Sequence, residues 1–227
     1  MSKWLIAKVV IAREKRWLNI FTAVLRILIG FAFLPAGLKK VTGQPFTDPN
    51  NVGIFHEFVQ VFHQTGFFYT FVGALQLLAA ILLMTQRFAS LGAVLFFPIL
   101  TAILVFCWST MVIPTATVVS LMFLGVVFLL LWDMHKWIGV FRPDGHTLSV
   151  DMTTPAPKTN MTLWSRCGWA IVILYFGTAA LTGEVYRPKN PDWTNPNFIV
   201  LQVITLLPVI TFIFDHKQYR RNREKQG

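Results

Sequence analysis

The sequence predicts an all-α membrane protein, a polytopic bundle of six transmembrane helices, from three observations. The 227-residue chain is 55% hydrophobic and only 13% charged, about half the charged fraction of an ordinary soluble domain. Its apolar runs reach the length of about 20 residues that a helix needs to cross a bilayer. Its basic residues lie in short clusters between those runs. The predicted spans are 18–38, 67–85, 88–108, 115–132, 164–182 and 198–214.

The distribution of lysine and arginine predicts that both termini are cytoplasmic. With the N-terminus inside, 15 of the 20 basic residues fall in cytoplasmic segments, 4 fall outside, and Arg26 lies within a span. This is the bias that positive-inside topology produces. It also accounts for the net charge of +10 without a nucleic-acid partner. The expected partners are the lipid bilayer and other membrane proteins.

The spacing of the spans divides the chain into five segments. Residues 1–17, MSKWLIAKVVIAREKRW, mix apolar and basic side chains and are expected to form a cytoplasmic interfacial segment. Residues 18–142 contain the first four spans. A cytoplasmic linker rich in proline and threonine over 143–163 separates them from two additional transmembrane helices in 164–214. Residues 215–227 form a basic cytoplasmic tail.

Arg26 lies deep within an apolar span, whereas Arg166 lies at the cytoplasmic end of its span. A guanidinium in the middle of a membrane helix costs roughly 2.5–3.5 kcal/mol on insertion scales. Helical spacing puts Arg26 on one face with Gly30, Phe33, Gly37 and Lys40. Because glycines on that face allow another helix to approach closely, we expect Arg26 to face the protein and not the lipid.

Two polar residues are predicted to compensate the charge of Arg26. Gln76, in the middle of the second span, is expected at the same depth, and Asp133 lies where the fourth span meets the cytoplasm. We predict that Arg26 hydrogen-bonds Gln76 and that Asp133 supplies the opposite charge. The residues leave two interpretations open: an internal polar clamp between helices, or a ligand-binding or proton-linked site.

The loop between the first two spans carries a second group of candidates. Residues 52–64 show helical spacing of aromatic side chains and predict an amphipathic helix on the outer surface. His56, Glu57, His63 and, at the end of the first span, Lys40 are candidate ligand contacts at the outer face. The two histidines are seven residues apart, about 10.5 Å along a helix, which is too far for one metal ion. They are either solvated interfacial side chains, quinone head-group contacts, or ligands in separate sites.

No catalytic residue is predicted. The chain has no phosphate-binding loop, dinucleotide fingerprint, HExxH motif or serine-hydrolase elbow. Cys107 and Cys167 form no CxxC pair, so the sequence predicts neither a metal centre nor a dithiol centre. Whether the protein is an enzyme stays open at this stage.

The motifs of the first four spans resemble the DoxX family of small bacterial membrane proteins, over about residues 18–142. The face from Arg26 to Lys40 resembles the first helix of that family. The stretch GALQLLAAILLMTQRFASLGAVL resembles its second helix, short basic turn and third helix, with Gln76 where the family usually has glutamate. The fourth helix and its exit are similar at Pro114, Ser120, Asp133 and the following IGVF.

The resemblance implies a four-helix core in a bacterial cytoplasmic (inner) membrane. Some relatives belong to quinone-reducing complexes and others to membrane oxidoreductase assemblies. It therefore implies an accessory or quinone-contacting subunit of a membrane redox complex, with quinone as the cofactor to consider. Two alternatives stay open: a carrier or binding protein for a small amphiphile, using a cavity between Arg26 and Gln76, and a scaffold that joins a larger assembly through its last two spans.

Overall fold

The computed structural model describes residues 3–48, 50–136, 159–183, 185 and 192–224. Regular secondary structure in these residues is entirely helical, and a short 3-10 helix over Met134–Lys136 follows the fourth long helix. Most of the predicted linker over 143–163 lies outside the described residues. The α-helices are α1 (Lys3–Arg13), α2 (Arg16–Val41), α3 (Ile54–Gln64), α4 (Phe67–Met84), α5 (Ala89–Ser109), α6 (Ile113–Trp132), α7 (Met161–Thr182) and α8 (Pro196–Glu224).

In the described part of the chain, six helices are long and apolar enough to span a membrane, namely α2 and α4 to α8. The predicted fold class, a polytopic α-helical membrane bundle, is therefore confirmed. α8 differs from the predicted span because it continues to Glu224 and does not end near residue 214. Its last turns consist largely of lysine, arginine, glutamine and glutamate, which are strong helix formers and extend the helix beyond its apolar part.

Local signals explain where several helices begin and end. The Asn160 side chain caps α7 by accepting a hydrogen bond from the Leu163 backbone N–H, at 3.1 Å. α7 ends at Gly183, whose φ of 71° is the left-handed conformation common after helices. Gln86, in the tight turn between α4 and α5, has a φ of 61°. A non-glycine residue in this conformation is uncommon and directs attention to its side chain.

The core of the bundle is built on the close contact between α2 and α4. The two helices run antiparallel, and Gly37 faces Gly73: a Cβ at Gly73 would lie 2.9 Å from the Gly37 carbonyl oxygen. The Phe33 and Phe96 rings, 4.8 Å apart, join α2 to α5. Small residues thus allow two backbones to approach, and aromatic side chains fill the space beside them.

The bundle has two ends, which we name for the segments they carry. The termini end is where α2 begins and α4 and α6 end; the loop end carries α3. The amphipathic helix predicted over 52–64 is present as α3, and its Phe58 ring packs 4.5 Å from the ring of Phe106 on α5. Whether α3 lies in the surface of the membrane stays a prediction.

α7 and α8 form a pair that attaches to this core. α7 packs on α2 and α4, while α8 packs mainly on α7. Gly168 makes the close contact: a Cβ there would collide with the carbonyl oxygen of Met84. Gly177, on the same helix, has open space around the same position. Of these two glycines on α7, only Gly168 lies where a larger side chain would collide with the neighbouring helix.

Gly168 and Gly177 give a matched test of how α7 attaches to the core. Gly168→Ala should destabilise the protein by about 1–3 kcal/mol, because the methyl group forces two backbones apart. Gly177→Ala should leave stability unchanged or raise it slightly, since alanine is the better helix former by up to about 1 kcal/mol. Melting temperatures of the purified variants in one detergent measure both effects. Equal melting temperatures would contradict the close α7–α4 contact.

Candidate functional site

The candidate site lies at the termini end, around the carboxylate of Asp133. This residue directly follows α6, and its side chain is only 4% exposed. Its Oδ2 lies 2.7 Å from Arg26 Nη2. Its Oδ1 lies 3.0 Å from Arg13 Nη2 and 3.3 Å from Lys136 Nζ. One buried carboxylate therefore pairs with three basic side chains from three different segments.

Arg26 faces the protein as predicted, with a side chain that is 4% exposed. Side chains on a helix lean toward its N-terminus, and for α2 this is the termini end. The guanidinium therefore extends from its position in the span toward the termini end and contacts Asp133. Arg26 Nη1 also donates to Gln86 Oε1, at 3.2 Å.

Gln76 is not the amide that binds Arg26, and the hydrogen bond that we expected between them is not formed. Antiparallel pairing sets Gly73 against Gly37 and Ala80 against Gly30. Gln76 therefore lies roughly eight residues, or about 12 Å, further along α2 than Arg26. Its side chain is buried, and among the described residues its Oε1 has no hydrogen-bond partner.

Gln86 takes the place that was predicted for Gln76. Its side chain accepts from Arg26 and donates from Nε2 to the Ala23 carbonyl oxygen on α2, at 3.2 Å. Gln86 is buried although it lies in a turn. The positive φ of this residue thus accompanies a side chain that points into the bundle and holds two groups of α2.

The surroundings of Asp133 complete its hydrogen bonding. The Ser90 hydroxyl on α5 donates to Oδ2 at 2.9 Å and accepts from Lys136 Nζ at 3.0 Å. Arg13 also donates to the carbonyl oxygen of Trp132 at 2.6 Å, which satisfies one of the unpaired carbonyls at the end of α6. The site therefore joins α1, α2, α5 and the end of α6.

The electrostatics favour the charged carboxylate. Burial by itself would raise the pKa of the Asp133 carboxyl, but the pKa lies below its ordinary value because the three basic side chains and the Ser90 hydroxyl outweigh burial. The stabilisation that this pairing contributes is therefore complete above the ordinary pKa of 3.8. It is lost only as the pH falls through the lower pKa of the folded state.

A second buried carboxylate, that of Asp215, fastens the α7–α8 pair at the same end. Asp215 Oδ2 lies 2.7 Å from Arg16 Nη2 at the start of α2. Its Oδ1 accepts from the Asn160 backbone N–H at 2.8 Å, at the start of α7. The Arg16 guanidinium also lies over the Tyr219 ring, 4.2 Å from its centroid. Asp215 thus links α8 to α2 and α7.

The loop-end candidates are not gathered into one site. Lys40 is buried, donates to the Ala36 carbonyl oxygen at 3.1 Å and lies over the Phe46 ring. His63 Nε2 lies 2.9 Å from the Gly43 carbonyl oxygen, whereas His56 meets the edge of the Phe55 ring. Glu57 is exposed. Within the described residues, no three side chains of histidine, cysteine, aspartate or glutamate come together as a metal site requires.

Sequence reasoning missed four members of the Asp133 site. The sequence places Arg13 in an interfacial segment and Gln86 in a short turn, so neither residue is predicted to contact the buried charges. Lys136 follows Asp133 by three residues, a spacing that favours an ion pair, and this signal was available. Ser90 gave no such signal in the sequence, because a serine near the start of a helix is common on protein surfaces.

Comparisons with known proteins agree with this architecture. The six apolar helices of the described residues, which are long enough to span a membrane, define a polytopic α-helical membrane protein. A buried ionic site lies at one end of them. The DoxX family model matches residues 21–108. The uncharacterized protein YwoB of Bacillus subtilis is 32% identical over 131 residues, which is 54% of this chain and 82% of that protein. The chain belongs to the DoxX family. No solved protein structure matches it.

Removing the charge of Asp133 tests the site. Asp133→Asn should lower the free energy of unfolding by about 3–5 kcal/mol, because Arg26 would be left buried without an opposite charge. The matched control is Asp192→Asn, since Asp192 is exposed and its side chain bonds, among the described residues, only within its own turn; this change should leave stability unchanged. Thermal unfolding in detergent measures both variants. A melting temperature of Asp133→Asn equal to the wild type would show that the pair with Arg26 does not stabilise the bundle.

Proposed function

We propose that this chain is an accessory subunit of a membrane redox assembly and that it contacts a quinone within the bilayer. The observation that carries the proposal is a shallow groove between α7 and α8, near the loop end, with a volume of about 280 Å³ when the open space at its mouth is included. It is lined by Tyr175, Thr178, Ala179, Asn197, Val200, Leu201 and Ile204.

The position of the groove follows from how the two helices are fastened. Asp215 ties α7 and α8 to the core at the termini end. Asn197 lies 18 residues before Asp215 on α8, roughly 27 Å away along the helix. No ion pair joins α7 to α8 at that distance in the described part of the chain. The helices can therefore leave room between them at the loop end without loss of the ionic contact.

The lining of the groove suits the head group of a quinone. Asn197 is 8% exposed, and its Oδ1 is buried without a hydrogen-bond partner among the described residues. An unpaired buried acceptor costs about 1–3 kcal/mol, and a quinol hydroxyl that donates to it would recover this energy. The Tyr175 ring, which meets the edge of the Phe31 ring at 6.2 Å, offers an aromatic wall.

The apolar exterior suits the isoprenoid tail of such a ligand. Beyond Asn197 the outer face of α8 carries exposed Val203, Leu206 and Ile210, so a long tail can lie along the helix within the lipid. Electron transfer to the ring needs a redox partner, and the proposal assigns that partner to another subunit. The family resemblance, which includes subunits of quinone-reducing complexes, agrees with this division.

Purification in a mild detergent tests the proposal. The wild-type protein should retain quinone, detected by solvent extraction and ultraviolet absorption, and should co-purify with a redox protein. Asn197→Leu should lose most of the quinone because the polar contact is removed. Gln202→Leu changes an amide on the same helix that does not line the groove, and it should retain the wild-type amount.

Two results would contradict the proposal in different ways. Quinone that is retained equally by Asn197→Leu and the wild type would exclude the groove as the contact. A different amphiphile, lost in Asn197→Leu and retained in Gln202→Leu, would favour the alternative function of a carrier for small amphiphiles, which would use the same groove.

The proposal includes an orientation with both termini on the cytoplasmic side of a bacterial inner membrane. The distribution of basic residues supports it, because 15 of 20 fall in the segments that the sequence predicts to be cytoplasmic. Single cysteines at Asn51 and Asn222, in a chain without Cys107 and Cys167, test it. A membrane-impermeant thiol reagent applied outside the cell should label position 51 and not position 222. Labelling at position 222 would reverse the orientation.

A further inference from the structure

The Asp133 site carries more positive charge than its carboxylate can balance. Arg13, Arg26 and Lys136 supply three positive charges and Asp133 one negative charge. In the described part of the chain, no other carboxylate lies within ion-pair distance of these three cations. Arg26 is fully enclosed, so the excess belongs to the other two. A further anion beside Arg13 and Lys136 would be favoured electrostatically.

These two cations converge on the same atom. Arg13 Nη2 lies 3.0 Å and Lys136 Nζ 3.3 Å from Asp133 Oδ1, so the guanidinium and the ammonium group are near enough for one phosphate group to contact both. The Lys136 side chain is 45% exposed and the Arg13 side chain 13% exposed. An anion can therefore approach from outside without entering the bundle or displacing Arg26.

The depth of the two cations matches that of a lipid head group. Arg13 is the last residue of α1, and Lys136 follows the end of α6 by four residues. The apolar spans end at this level, which is where the phosphates of a bilayer leaflet lie. Trp17, 64% exposed at the same end, is a side chain typical of that interface. A phosphate fixed to a lipid would thus meet these cations without leaving the bilayer.

We propose that Arg13 and Lys136 form a binding site for the phosphate of an anionic phospholipid at the termini end. The Arg13 guanidinium has N–H donors besides those of Nη2, which bind Trp132 and Asp133, and Lys136 offers an ammonium group. These are the two kinds of donor that bind phosphate. The bound lipid would cover the Asp133 site and hold α1 against the end of α6. This site is independent of the groove between α7 and α8.

Titration of phosphatidylglycerol into the protein in a neutral detergent, followed by melting temperature, tests the site, with phosphatidylcholine as the zwitterionic comparison, whose phosphate charge is balanced within its own head group. Phosphatidylglycerol should raise the melting temperature of the wild type and phosphatidylcholine should not. Lys136→Gln should weaken the apparent affinity for phosphatidylglycerol about fivefold, which corresponds to the roughly 1 kcal/mol of one basic side chain near an anionic surface. Lys136→Arg should restore it.

The control is Lys217→Gln, because Lys217 is exposed on α8 at the same end and lies outside the Asp133 site. It should change the affinity less than twofold. Equal losses in Lys217→Gln and Lys136→Gln would mean a diffuse attraction to charge and would overturn the site. Stabilisation by millimolar inorganic phosphate equal to that by phosphatidylglycerol would replace the lipid with a free anion and would also overturn the proposal.

Discussion

The buried carboxylate of Asp133 is the contact on which the arrangement of the helices depends. A guanidinium within an apolar span is unfavourable unless a charge of opposite sign and further hydrogen bonds compensate it. Asp133 supplies the charge to Arg26, and Gln86 and Ser90 supply hydrogen bonds around the pair. Because these groups come from three helices and a turn, satisfying Arg26 also fixes the positions of the elements that carry them.

The same chemistry attaches the last two helices, but with a different distribution of contacts. Asp215 is bonded to the start of α2 and to the start of α7, while close backbone packing at Gly168 joins α7 to α4. Both contacts lie toward the termini end. At the loop end, α7 and α8 are held by apolar side chains, which specify their separation less strictly than a buried ion pair does. A groove between helices is easier to accommodate there.

The sequence predicted the apolar spans, the buried face of Arg26 and the carboxylate of Asp133, because each follows from a strong physical requirement. A charge in a span must face inward, and few residues can neutralise it. The choice of Gln76 failed for a geometric reason. The register of α2 against α4 places Gln76 about eight residues beyond Arg26, and the long Arg26 side chain leans toward the start of its helix, away from Gln76. The inward direction of the Gln86 side chain could not be predicted, because it follows from a left-handed backbone conformation in the turn.

The buried amide of Gln76 takes no part in the Asp133 site. Its amide oxygen is buried without a partner among the described residues, at the level of Leu34 and away from every charged side chain of the Asp133 site. A polar group in such a place weakens the bundle by about 1–3 kcal/mol, whereas the ionic site at the termini end stabilises it. Arg26 and Gln76, which one alternative function joins in a single cavity, lie at different depths of the bundle. The groove at Asn197 is the position where a polar head group would gain a hydrogen bond within the span.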